Sequence, residues 1–378
     1  MQRPLIDVHH PLSRRAFLRG AGLAGAGVVL LGACGSDESK GSPTSAPEAV
    51  VDPPPETTTI RLPKDIVGYP CRAPLYLAEQ FLPAEGFTNV QYIDDGIGPE
   101  FQMGPKLAAG EIDIGLPYAA SLMAGADRGD QLVALAGVHN TCWELFASDR
   151  VQSLRDLKGK RIWVLKRDAR NAPYAFMATL LAYVGIDLEH EVEFVELSLG
   201  DGLQQFEAGT IDAMLSIRPL STNLRSDKIG HVVLNGHMDA PWSQYLCCMA
   251  TGNRDFVEKH PAATKRALRA ILKAANVCAK EPERAARYLV DKGYALNYAE
   301  ALDGISGLSY AAWREFNPED TVRFFALRLK EAGLVKSTPD ELIARATDWR
   351  YLDEIKRELG ATSTSSSGGL WCRVNAAV

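Results

Sequence analysis

Four short stretches carry side chains suited to gripping a small anion. GYPCRA (68–73) offers Tyr69, Cys71 and Arg72, and PYAAS (117–121) offers Tyr118 and Ser121. KRDARNAPY (166–174) offers Arg167, Arg170 and Asn171, and IRP (217–219) offers Arg218. Guanidinium groups recognise carboxylates, sulfonates and phosphates through paired hydrogen bonds, and the tyrosines would hold an organic body. A neutral or cationic pyrimidine-like ligand, held by aromatic stacking and the charge of Asp168, is the second possibility. Each residue also has an ordinary reading: Arg167 and Arg170 as solvated loop charges, Arg72 as the partner of a surface acid. The chain contains no HExxH, GxSxG or P-loop, and no paired-cysteine spacing that marks a zinc site, so neither a catalytic residue nor a metal is expected.

All four stretches come directly after strand-like segments. TTTIRL (57–62), NVQYI (89–93), IDIGLP and LVALAGV read as strands, with APLYLAEQFLPAEG (73–86) and YAASLMAGA as helices among them. The order restarts with the strand RIWVLK (161–166), the helix PYAFMATLLAYVG (173–185), the strand VEFVELS (192–198), the helix DGLQQFEAG (201–209) and the strand IDAMLSI. Alternation of this kind implies parallel sheets covered by helices. In such sheets, ligands sit beyond the carboxyl ends of the strands, where loops and helix N-termini supply N–H donors. Asn171 is placed to cap the helix next to it. AAGEIDIG (108–115) and EAGTIDAM (207–214) nearly repeat one phrase. Solenoid and propeller arrays repeat every ~20 to 50 residues, so two copies this far apart point to two similar lobes. From Asn253 onward the chain reads as mainly helical. Pro261 and Pro282 sit at helix starts, further helices are expected near 318–333 and 350–359, and a loose tail covers 361–378.

The first 33 residues read as an export leader. SRRAFLRG (13–20) precedes the apolar run AGLAGAGVVLLGA, which is shorter than the ~20 residues needed to cross a bilayer core. GAGLAG (20–25) fits a dinucleotide-binding pattern, but it has no preceding strand and serves as small-residue filler. The pair Arg14 and Arg15 resembles the twin-arginine signal read by its translocase, and LGAC (31–34) resembles a lipobox in which Cys34 carries a lipid. Residues 34–56 are rich in Ser, Pro, Gly and acidic residues and read as a disordered tether. Removing residues 1–33 leaves 37 basic against 46 acidic residues, which gives no electrostatic support for nucleic-acid binding. Of the six cysteines beyond Cys34, most are expected to be buried thiols, and a Cys71–Cys142 bridge is the one pairing entertained.

From about residue 58 to 350 the body resembles the solute-binding proteins of ABC importers, in the nitrate/sulfonate/taurine and thiamine-precursor branch. KLAAGEIDIG (106–115), ALAGVH (134–139), SLRDLKGKRIWVLK (153–166), FEAGTIDAM (206–214) and RDFVEKHPAATKRALRAILKA (254–274) carry the likeness. The resemblance implies an α/β, two-lobed, type II-like periplasmic-binding-protein fold. Lobe 1 would be 57–148 plus 247–360 and lobe 2 would be 149–246, joined by strands near WELFAS (143–148) and YLCCMA (245–250). It implies capture of a small organic anion or a nitrate-like solute by lobe closure, and delivery to a permease and its ATPase. With the leader, it places the protein outside the cytoplasmic membrane, held there by the lipid. An enzyme on the same fold is the alternative, such as a thiamine-pyrimidine synthase, whose cysteine-rich run is matched here only by Cys247 and Cys248, or a lyase. An anchored sensor outside transport is another.

Overall fold

The computed structural model describes residues 52–64, 69–94 and 103–359. The leader with Arg14 and Arg15, Cys34, most of the expected tether, Cys372 and the expected tail at 361–378 lie outside the described residues. Among those described, no helix is long and apolar enough to cross a membrane.

Among the described residues, ten strands form the sheets. They are β1 (Thr59–Lys64), β2 (Asn89–Asp94), β3 (Ile114–Gly115), β4 (Leu132–Asn140), β5 (Glu144–Ala147), β6 (Arg161–Val164), β7 (Glu193–Glu196), β8 (Ala213–Ser216), β9 (His231–Asn235) and β10 (Leu246–Asn253). β1 and β2 pair in parallel, β3-β10-β4 make a three-stranded sheet, and β7-β6-β8-β5-β9 make a five-stranded one. The parallel expectation holds for β1 with β2 and for β6 with β7 and β8. β5 and β10, however, run antiparallel to their neighbours. The chain passes from the three-stranded to the five-stranded sheet between β4 and β5 and returns between β9 and β10. Glu144–Ala147, inside the segment expected to cross, already lies in the five-stranded sheet, so that half begins a few residues before the expected boundary at 149.

The repeated phrase has a physical meaning in these sheets. Asp113, just before β3, donates its N–H to the Arg61 carbonyl at 2.9 Å and accepts the Arg61 N–H on its carboxylate at 2.7 Å. Asp212, just before β8, does the same with Arg161, at 2.8 and 2.9 Å. Both carboxylates are buried. Each copy is preceded by a glycine with φ of +72°, Gly110 or Gly209, which a side chain would strain. The phrase therefore encodes one staple, used once in each half. Charge-assisted hydrogen bonds of this kind contribute about 1.5–3 kcal/mol. Asp212→Ala and Asp113→Ala are each expected to cost about 2 kcal/mol in urea unfolding, and a loss below about 0.5 kcal/mol in both would refute the staple.

The expected helix 73–86 is broken into Ala73–Leu77 and two 3-10 turns, because Pro83 has no N–H to continue the ladder. The expected tether also ends sooner than 56. Glu56 accepts the N–H groups of Ala262 and Ala263, both at 2.9 Å, at the start of the helix Pro261–Lys280. Asp52 pairs with Lys265 and Arg269. An acidic run that looks solvated in sequence is held by the cations and open N–H groups of a helix two hundred residues away.

Candidate functional site

Three cavities meet at Ile217, just beyond the end of β8. The smallest, about 30 Å³, lies between loops of both halves. Arg72, Pro117, Tyr118, Ser121, Cys71 and Cys142 line it on one side, and Trp143, Ala172 and Ile217 on the other. Two helix N-termini open onto it: Ala119–Asp127, whose N-cap is Tyr118, and Ala172–Tyr183, whose N-cap is Asn171. Neither cap side chain bonds its helix N–H groups, which corrects the capping role expected of Asn171. The guanidinium of Arg72 is buried. Burial pushes the Tyr118 phenol well above its ordinary range, so it stays protonated as a donor. The Ser121 hydroxyl donates to the Tyr118 carbonyl at 2.9 Å.

Trp143 and Ile217 also line a cavity of about 270 Å³ that is largely apolar. Trp163, Val164, Leu165, Pro173, Leu215, Leu220, Ala295 and Leu296 form its walls, with Tyr69 and Arg218 at its edge. A third cavity, of about 300 Å³, is more polar and is lined by Glu144, Asn235, His237, Arg218 and the two cysteines 71 and 142. Glu144 is buried and accepts from Arg225 and, at 3.0 Å, from the amide of Asn235. Burial and the nearby Arg218 hold His237 below the ordinary imidazole range, so it is neutral at pH 7.

The structure therefore brings together Tyr69, Cys71, Arg72, Tyr118, Ser121 and Arg218, with Asn171 buried behind Ala172. It does not bring in the other two arginines. Arg167 pairs with Glu189 and lies over the Phe194 ring, while Arg170 bonds Asp168, which also binds Arg128 at 2.8 Å. Neither lines the three cavities, because local acids on their own surface satisfy them first. Arg218 is not a bare cation either: it donates to Asp303 Oδ1 at 2.7 Å and to the Asp303 carbonyl at 3.0 Å. Thr222 donates to the other oxygen of Asp303 at 2.5 Å. Sequence reasoning missed Trp163, Leu215 and the segment 295–301. Leu215 sits in the strand just before IRP and was within reach of the strand-end rule, whereas nothing local marks residues 295–301.

All five cysteines among the described residues are free, so the Cys71–Cys142 bridge is not formed. Cys142 Sγ lies 3.4 Å from Cys247 Sγ instead. The neighbouring Cys142 and Cys248 thiols, and then His139, hold the Cys71 thiol well below its ordinary range, while Cys142 and Cys248 are pushed up.

Comparison with known proteins fits this architecture. The nitrate-binding protein NrtA from Synechocystis superposes with a TM-score of 0.64 at 14% identity, over 82% of this chain and 90% of that one. The alkanesulfonate-binding protein SsuA from Xanthomonas axonopodis pv. citri, bound to MOPS, gives 0.59 at 17% identity, over 78% and 99%. In sequence, 102 residues are 29% identical to the bicarbonate-binding protein CmpA of Synechococcus elongatus, covering 27% of this chain and only 22% of that relative. Residues 90–285, just over half of the chain, match the NMT1/THI5 like family. A two-lobed fold built around a common cleft, together with that match, places the chain in the NMT1/THI5 like family.

Proposed function

We propose that this protein is the solute-binding component of an ABC importer, and that it captures a small organic anion. The observation that supports this is the convergence of two helix N-termini and the buried Arg72 on one small cavity that opens into an apolar one. A sulfonate or carboxylate headgroup fits the first, where N–H donors, Arg72 and the Tyr118 hydroxyl face it. The organic body then lies against Trp143, Trp163 and Leu215 in the second. A nitrate or bicarbonate ion would leave that apolar space empty, which favours an anion with a hydrocarbon part. Three of these relatives are named for nitrate or bicarbonate or were solved with MOPS, a sulfonate, in keeping with this choice.

Capture is reversible. The lobes, one carrying β1–β4 and β10 with the C-terminal helices and the other β5–β9, close on the ligand, and the closed form docks to a permease. Export by the twin-arginine route and a lipid on Cys34 would hold the protein outside the cytoplasmic membrane. Calorimetry with alkanesulfonates, carboxylates, nitrate and bicarbonate tests the reading. One organic anion is expected to bind at one per chain, and Arg218→Ala to weaken it about tenfold by freeing Asp303 and removing a cleft wall. Binding of nitrate alone would overturn the organic-anion choice, and chemical turnover of the bound compound would overturn the transport reading in favour of an enzyme.

A further inference from the structure

Five soft donors meet behind the small cavity. Cys71 comes from the loop after β1, His139 from β4, Cys142 from the first crossing, and Cys247 and Cys248 from β10. Ligand atoms of Cys71, His139 and Cys248 lie within 4.8 Å of one another, and so do those of His139, Cys142 and Cys247. The imidazole is common to both groups. Consecutive residues of a strand point to opposite faces, yet Cys247 and Cys248 both line the same cavity. Register shifts on either side of Cys248 in the β10–β4 ladder account for this, since a bulge re-aims a side chain.

His139 is fully buried, and its two nitrogens differ. Nδ1 lies 2.7 Å from the Asn140 carbonyl, to which it donates, so in the neutral ring Nε2 keeps its lone pair. Nε2 is buried with no hydrogen-bond partner, and the ring offers a nitrogen within 4.8 Å of the sulfurs of each group. A metal-bound histidine has this arrangement: the far N–H is held by a carbonyl, which fixes the tautomer. Four cysteines serving only as small apolar residues would have no use for an open imidazole nitrogen among them. The spacing also suits a metal. Zinc–sulfur bonds of about 2.3 Å in a tetrahedron separate the sulfurs by roughly 3.8 Å, which fits the two thiols within each group, 3.4 Å apart for Cys142–Cys247. The third thiol comes from the other group through the shared imidazole and would close onto the ion as it binds.

We propose that His139 and three of the thiols of Cys71, Cys142, Cys247 and Cys248 bind one zinc(II) ion at the wall of the cleft. Thiolate and imidazole donors in a closed, four-coordinate setting are the zinc donor set. Binding replaces three thiol protons, which leave to solvent, and no oxidant or reductant takes part. The linear sequence shows no zinc pattern because the donors come from three separated stretches, at 71, 139–142 and 247–248. The ion would tie the loop after β1 to both crossings between the sheets. The four cysteines also line the small cavity, so the ion would share its wall with the anion, but neither Arg72 nor Arg218 would hold it.

The test uses the full chain, isolated under reducing conditions without added oxidant and loaded with zinc(II) alone. One zinc per chain retained through gel filtration is expected, with a higher unfolding temperature and proton release on titration. X-ray absorption should show three sulfurs and one nitrogen, and cobalt(II) substituted into the unaltered chain should give sulfur-to-metal charge-transfer bands. His139→Gln is expected to lower zinc affinity at least tenfold; the cobalt spectrum of the unaltered chain decides the matter should that variant not fold. No retained zinc, zinc with only oxygen or nitrogen neighbours, retention of copper(I) with exclusion of zinc, or a Cys142–Cys247 disulfide seen as a mass two lower would each overturn the proposal.

Discussion

Arg72→Ala is expected to weaken anion binding at least about thirtyfold, the largest effect of any substitution in the cleft. Arg72 is 5% exposed and stands between two helix N-termini, so a headgroup bound there meets a guanidinium already removed from water. Desolvated charge pairs of this kind lose about 2–5 kcal/mol when one partner is truncated, which is roughly thirtyfold or more in affinity. Arg218 is half-exposed and shares its charge with Asp303, and its loss should cost less. The two variants therefore rank the walls of the cleft. Calorimetry showing Arg72→Ala within about threefold of the unaltered protein, with the fold intact by circular dichroism, would move the anion out of the small cavity. A lysine at position 72 would keep the charge and lose the planar fork, so it is expected to fall between the two.

Arg269→Met is expected to cost about 3–5 kcal/mol of stability, the largest loss for a single charge in this fold. Arg269 donates to both oxygens of Glu85, at 2.6 and 3.1 Å, to Glu358 at 2.8 Å and to Asp52. Lys273 reaches Glu85 at 2.9 Å, and Lys265 holds Asp52, Glu354 and Glu358 at 2.7 Å each. Glu85 is only 3% exposed, so losing Arg269 leaves a buried carboxylate short of its main partner, a far larger penalty than an exposed pair carries. Urea unfolding gives the number, and a change under about 1 kcal/mol would show that solvent screens the cluster.

The pH dependence has a definite sign. Burial pushes the Glu85 and Asp52 carboxyls up, but their Arg269, Lys273 and Lys265 partners outweigh it and hold both below the ordinary range. A carboxyl depressed in the folded state contributes stability that is complete above its unfolded value, about 4, and fades as pH falls through the folded one. Arg269→Met should therefore flatten the acid limb of the stability profile below about pH 4 and leave the neutral region parallel to the unaltered protein.

Much of this architecture is legible in the sequence because it depends on local order. The alternation of strand and helix, the glycines at Gly110 and Gly209, and the repeated Ile-Asp step arise from periodicity and backbone geometry over a few residues. The strand-end rule found Tyr69, Arg72, Tyr118, Ser121 and Arg218, since the chain itself fixes which residues stand just beyond a strand. It also named Arg167 and Arg170, where the same rule had no view of Glu189 and Asp168. Glu189 comes close to Arg167 only on folding, whereas Asp168 stands two residues from Arg170 and takes it locally.

Tertiary structure alone decided the rest. Residues 295–301 reach the apolar cavity from a helical region with no local mark of function. Asp52 and Glu56 look like part of a solvated tether until the helix Pro261–Lys280 offers them cations and open N–H groups. The cysteines behave likewise. Cys71, Cys142, Cys247 and Cys248 are spaced like unrelated buried thiols, and they meet because two crossings and a bulge bring separate segments to one wall. Sequence by itself settled which residues stand at the ends of strands, because that is a property of neighbours along the chain. Which of those residues share a cavity, and which are claimed by an opposite charge, depends on contacts between distant segments, and only the fold supplies those.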